Sequence, residues 1–213
     1  LVSIGKGAFA QTTLTNTLID NFTVYNIAID AEEVAKVYDK EMHEELAKLV
    51  ANYVFDYDAT DATGKYDGTL QGDATLNRDE ERGKVLKLTS TGYVSIPPEV
   101  ANLLNDFSIS AWVKGVGTNE TAALLGMGSN TAQSAPYWDV KLNGDSTVSF
   151  ASSLANNTEP DGCAQVVNEF VNTGNEWVHI ALSFKKNEGA VVYINGKAQT
   201  TSALTGDNDF DVS

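Results

Sequence analysis

The chain has 213 residues, 42% of them apolar and 20% charged, which excludes a disordered polymer and leaves room for one large domain or two small ones. Its 29 acids against 14 bases give a formal charge of −15, which argues against recognition of a phosphate backbone and favours solubility, metal cations and uncharged ligands. A single cysteine, Cys163, excludes an internal disulfide, and two histidines, His43 and His179, supply zinc chemistry poorly. No apolar run approaches the ~18 residues of a membrane span, so membrane insertion is not expected. Residues 1–10 lack the basic segment and long apolar core of a signal peptide.

The first 29 residues read as short strands at 1–4, 13–19 and 21–27, with Phe22 and Val24 on one face. At Asp30 the period changes. Asp30 is a good N-cap, and Glu33 completes an Asp-x-x-Glu capping pattern. Val34, Val37, Tyr38, Met42, Leu46, Leu49 and Val50 then follow helical spacing. This predicts a helix over residues 31–49, with His43 among Glu41, Glu44 and Glu45 on its solvated side.

From Asn52 onward the pattern is that of strands. Residues 53–57 read as a strand and 58–72 as a polar loop dense in Asp, Thr and Gly. Residues 85–88 and 93–96 are short strands about the turn Ser90-Thr91-Gly92, and 99–105 has the length of one helical turn. Residues 107–114 alternate, with Phe107, Ile109, Ala111 and Val113 on one face and Ser108, Ser110 and Trp112 on the other. Further strands follow at 122–127, 137–142 and 148–151, and 156–171 reads as an irregular loop. Residues 176–199 read as a meander in which Val178, Ile180, Leu182 and Phe184 form one buried face and Asn195-Gly196 makes a two-residue hairpin turn. Short strands at this spacing argue for an all-β fold, a two-sheet antiparallel β-sandwich or jelly roll with one helix.

The passages YVFDYDATDATGKYDGTL, GYVSIP, FSISAWVK, EWVHIALSF and VVYINGK occur in this order along residues 53–197. Their order and approximate spacing resemble bacterial laminin-G-like domains of the concanavalin A-like lectin/glucanase superfamily. LIDNFTVYNIAIDAEEVAKVYDKE resembles the segment that ends such a domain, and LVSIGKGAFAQ the strand before it. GDNDFDVS, at the other end of the chain, resembles the lead into that same strand. The resemblance implies a concanavalin A-like jelly roll in permuted order, or a cut from a tandem array. It divides the chain into terminal strands (1–29), a helix and linker (30–50) and the main jelly roll (51–213). A partial jelly roll exposes a sheet edge, so residues 1–29 are expected to fill the gap within the chain or in a neighbouring copy. The second arrangement amounts to self-association through strand exchange.

The glucanase relatives carry a Glu-x-Asp-x-(x)-Glu strand that sets acid and nucleophile on one sheet face. No such strand occurs here: the dense acids are helical (Glu32, Glu33, Glu41, Glu44, Glu45) or loop-like (Asp79, Glu80, Glu81), and Cys163 has no base nearby in sequence. The chain is therefore read as non-catalytic. Asp58, Asp61 and Asp67 share one Gly/Thr-rich loop, oxygen-rich as calcium requires, or else a solvated set of Asx turns. The resemblance implies a structural calcium near this loop, joined by the Asp that opens the last strand, here Asp20. Carbohydrate recognition needs aromatics for stacking and amides or carboxylates for hydroxyls. Tyr137 and Trp138, with Asn130, Gln133, Asn143 and Asp145 nearby in sequence, are the candidates; the other reading is an aromatic pair opening a strand with one ring buried. Trp112 and Trp177 lie in apolar strands and are read as core. The resemblance implies an extracellular or cell-surface module that binds a glycan or cell-surface ligand within a larger surface protein or secreted glycosidase. The rival is a structural repeat of a stalk or filament.

Overall fold

The computed structural model describes residues 2–6, 13–14, 16–38, 49–103, 106–115, 122–128, 137–142, 148–153, 163–165, 176–185 and 188–200. In chain order they form β1 (Val2–Ile4), β2 (Thr17–Tyr25), α1 (Ala31–Tyr38), β3 (Leu49–Tyr53), β4 (Thr69–Gln71), β5 (Thr75–Asp79), β6 (Gly83–Leu88) and β7 (Tyr93–Ile96). A 3-10 turn (Pro98–Leu103) leads to β8 (Phe107–Lys114), β9 (Ala122–Gly128), β10 (Tyr137–Leu142), β11 (Val148–Ser153) and β12 (Cys163–Gln165). The meander supplies β13 (Val178–Lys185), β14 (Gly189–Ile194) and β15 (Lys197–Ala198).

The strands make two antiparallel sheets. One is ordered β12-β11-β10-β9-β1-β7-β4; the other is β15-β14-β13-β8-β2-β6-β5, with β3 also paired to β2. Alternation gives each sheet one apolar face, and the two faces meet in a single core. Val2, Ile4, Leu125 and Val140 come from the first sheet; Ile19, Phe22, Val24, Ile109, Val113 and Leu182 come from the second. β1 lies between β9 and β7, with Val2 opposite Met127 and Ile96. β2 lies between β8 and β6, with Ile19 opposite Val113 and Leu86. The start of the chain thus supplies an inner strand to each sheet.

α1 packs on the outer face of the second sheet. Val34 is fully buried, in a cluster with Tyr25, Ile29, Ala181 and Tyr193, joined by Ile27, Val37 and Leu49. The capping box forms as the sequence predicts: Asp30 Oδ1 accepts the Glu33 N–H at 2.9 Å, and Glu33 Oε2 accepts the Asp30 N–H at 3.0 Å. The helix changes the reading of β13. Every residue from Val178 to Phe184 is buried, because core side chains cover one face and α1 helps cover the other.

Several elements depart from the sequence pattern. Leu49 and Val50 belong to β3, not to the end of a helix, because the ladder with Tyr25, Val24 and Phe22 claims that stretch; residues 39–48 lie outside the described residues. β3 ends at Tyr53, and Phe55 follows at a φ of 59°, a backbone conformation that cannot continue a strand. The two strands expected at 13–19 and 21–27 are one strand, β2, bulged at Asn21, where φ is 49°. β4 and β5 rise from stretches without clear alternation. β12 lies within the expected loop at 156–171, its Cys163 opposite Ala151.

Candidate functional site

The loop after β3 is organised around one carboxylate. Asp61 is buried, and its Oδ1 accepts the N–H groups of Asn52 (2.8 Å) and Thr63 (3.0 Å). Its Oδ2 accepts those of Tyr66 (3.1 Å) and Lys65 (3.3 Å) and the Thr63 hydroxyl. Burial pushes this carboxyl up, but the bonds from Thr63, Asn52 and Lys65 outweigh it and hold it below the usual range. Asp67 accepts the N–H of Asp61 at 3.0 Å, and Asp58 accepts the N–H of Thr60 at 2.8 Å along with its hydroxyl, which holds Asp58 low as well.

Asp20 does not join them. It sits in β2, bonded to Nε of Arg82. A calcium ion needs six to eight free oxygens converging on one point, whereas both Asp61 oxygens already accept donors and Asp20 already faces a cation. Among the described residues, no three Asp, Glu, His or Cys groups are placed to hold one metal ion. Asp20, Asp58, Asp61 and Asp67 do not fit a shared calcium.

The outer face of the second sheet carries a ladder of rings and cations. Asp20, Trp112 and His179 are neighbours across β2, β8 and β13. The Tyr38 ring, at the end of α1, stacks on Trp112 with centroids 5.8 Å apart and planes 23° apart. Arg82 lies over Trp112 at 4.4 Å from the ring centroid and over Trp177 at 5.4 Å; Lys114 lies over Trp177 at 5.6 Å. Trp112 and Trp177 are therefore not core residues, as their apolar neighbours suggest, but half-buried rungs outside it. Asp79 ties the ladder to the β5–β6 turn. It accepts the N–H groups of Glu81 (2.9 Å) and Arg82 (3.1 Å), the Trp177 indole N–H (3.0 Å) and the Lys114 ammonium (3.0 Å). Burial pushes the Asp79 carboxyl up, but these donors prevail and bring it down to about 2.

Beside the ladder opens a cleft of about 260 Å³, lined by Asp20, Asn21, Val54, Asp56, Glu81 and Arg82. Two of its walls hold non-glycine residues at positive φ, Asn21 and Phe55, the latter between Val54 and Asp56. Such strain costs of order 1–3 kcal/mol per residue and clusters at functional sites. Next to Asp56 in the chain stands Tyr57, 86% exposed, with Lys84 Nζ 5.6 Å from its ring centroid. The carboxylates, amide and guanidinium that line the cleft are chemistry suited to a polyhydroxylated ligand.

The carbohydrate candidates read from the sequence lie elsewhere. Tyr137 and Trp138 open β10 in the first sheet, opposite Gly128 and Met127. Asn130, Gln133, Asn143 and Asp145 lie outside the described residues. Sequence reading missed Asn21, Asp56, Glu81 and Arg82 as one group. The available signals were Asp-x-x-Arg-Gly at a turn and an aromatic directly after Asp56 in a polar loop.

Neither the curated proteins nor the solved structures compared with the chain gave a match. A family model does match: the laminin-G-like model described as concanavalin A-like lectin/glucanases superfamily covers residues 88–213, more than half of the chain. With that match and its two antiparallel sheets packed as a sandwich, the chain belongs to the laminin-G-like domains of the concanavalin A-like lectin/glucanases superfamily.

Proposed function

We propose that the chain is a non-catalytic carbohydrate-binding or adhesion module acting outside the cell, and that it receives its ligand at the cleft lined by Asn21, Asp56, Glu81 and Arg82. The observation that supports this is a polar cleft lined by three carboxylates, an amide and a guanidinium, with an 86% exposed tyrosine following its wall residue Asp56 in the chain. The exposed face of Tyr57 is free to stack on the apolar face of a sugar. Asp56, Glu81 and Asn21 supply acceptors and an amide for hydroxyls, while Arg82 is already held by Asp20. The charged residues that line the cleft are Asp20, Asp56 and Glu81 against Arg82, three acids to one base, so neutral or amino sugars suit the site better than uronates or sulfated sugars.

The test is binding of the purified chain to an array of neutral, amino, sialylated and sulfated glycans, followed by titration of the best hit into Tyr57→Ala. Loss of binding with an unchanged Tm is expected, since Tyr57 carries little of the fold. Undiminished binding by Tyr57→Ala together with Asp56→Ala would exclude this cleft, and Tyr137→Ala with Trp138→Ala then tests the β10 patch. A structural repeat that exchanges strands between copies is the second reading; β1 and β2, which here pair within one chain, are the strands it would exchange. Light scattering across a dilution series separates the two: a concentration-dependent dimer or filament supports exchange.

A further inference from the structure

The resemblance implies a calcium that Asp20 helps to hold, and the donor set in the structure does not meet it. We infer that the Arg82 guanidinium is the resident cation of this site, so the domain carries its own counter-charge to Asp20 and needs no calcium there. The Asp20 and Arg82 side chains are 7% and 9% exposed, bonded directly through Nε. A carboxylate that far from water persists only with a partner, and the partner belongs to the same chain.

The surroundings of Arg82 suit a guanidinium and not a metal. A guanidinium is planar and weakly hydrated, so it stacks on aromatic faces, and Trp112 and Trp177 lie 4.4 Å and 5.4 Å from it. Asp56 and Glu81, the other carboxylates of the cleft, line it together with Arg82. A divalent ion entering there meets a fixed positive charge as well as those oxygens. The cation is also prepositioned without any ligand, because Asp79 binds the N–H groups of Glu81 and Arg82 and is itself bonded by Trp177 and Lys114. A charge built into the chain contributes at any calcium concentration, whereas a bound ion contributes only as mass action allows.

The experiment is thermal unfolding of the whole chain in EDTA, in calcium and in magnesium at matched ionic strength. The magnesium arm is required because a chain of net charge −15 attracts any divalent ion. The expected result is no calcium-specific shift in Tm, together with a fall of about 10 °C in Arg82→Gln. Arg82→Lys recovers only part of that loss, since an ammonium keeps the charge without the stacking plane. Asp20→Asn costs less in the Arg82→Gln background than in the wild type, as expected of a coupled pair. A calcium-specific rise in the wild-type Tm that Asp20→Asn abolishes overturns the inference, as does Arg82→Gln melting like the wild type. Should Arg82→Gln fail to fold, the wild-type and Asp20→Asn metal series still decide the matter.

Discussion

The guanidinium carbon of Arg82 sits 4.4 Å from the centroid of the Trp112 ring, and through that contact a surface turn is clamped to the outer face of a β-sheet. The turn runs from Asp79 to Gly83, between β5 and β6, while Trp112 belongs to β8 across β2. Because Tyr38 stacks on the same indole, Trp112 also links the turn to α1. Trp112→Leu keeps apolar bulk and removes the quadrupole that attracts the cation. The expected loss is about 2–4 kcal/mol in urea unfolding, from one cation–π contact and the ring contacts with Tyr38 and His179. A variant as stable as the wild type would show that the ladder is decoration.

Asp79 makes the clamp dependent on acid. Its carboxyl titrates at about 2 in the folded chain, against about 3.9 in an unfolded one. A depressed folded value stabilises the fold fully above pH 4 and loses that contribution as pH falls from about 4 to about 2. Asp79→Asn is therefore expected to lower Tm by several degrees at pH 7, with the gap to the wild type closing as pH approaches 2. A gap of constant size across that range would assign the effect to shape and not to charge.

The loop carboxylates separate by their partners, not by their proximity in sequence. Asp61→Ala leaves the partly buried N–H groups of Asn52, Thr63 and Tyr66 and the Lys65 N–H without their acceptor, and the expected cost is about 2–3 kcal/mol. Asp58 is exposed and bonds only to Thr60 among the contacts described, so Asp58→Ala is expected to cost much less. Equal losses measured by urea denaturation would mean that the loop is held by something other than the Asp61 hub.

Local chemistry made part of this legible in the sequence. The capping box at Asp30 and Glu33, the Asn195-Gly196 turn with both residues at positive φ, and the alternation of residues 107–114 all depend on neighbours a few positions apart. What long-range pairing decides was not legible. Leu49 and Val50 satisfy helical and strand periods equally, and only the ladder to β2 chooses between them. The same holds for the site: Asp20 and Arg82 are 62 residues apart and meet because β2 pairs with β6. Trp112 alternates correctly to the outer face, but its polar and aromatic company comes from β13, α1 and a distant turn.

His179 gives the molecule a second response to acid, at higher pH. It is buried in β13 against Trp112 and Tyr38, and its Nδ1 has no hydrogen-bond partner among the described residues. Burial, with the Arg82 charge acting in the same direction, pushes its pKa down to about 4. Above about 6.5 the imidazole is neutral in both states and the group adds no pH dependence. Between about 6.5 and 4 the unfolded chain takes up a proton that the folded chain refuses, so stability falls as pH falls, by about 3 kcal/mol in all. Below 4 both states are protonated and the slope from this group ends. His179→Phe keeps a ring against Trp112 and Tyr38, removes the orphaned nitrogen and abolishes the proton uptake. The variant is expected to match the wild type at pH 7 and to exceed it increasingly down to pH 4, with His43→Gln as the control for the other histidine. Parallel stability curves for wild type and His179→Phe between pH 7 and pH 4 would show that the folded chain protonates His179 as readily as the unfolded one does.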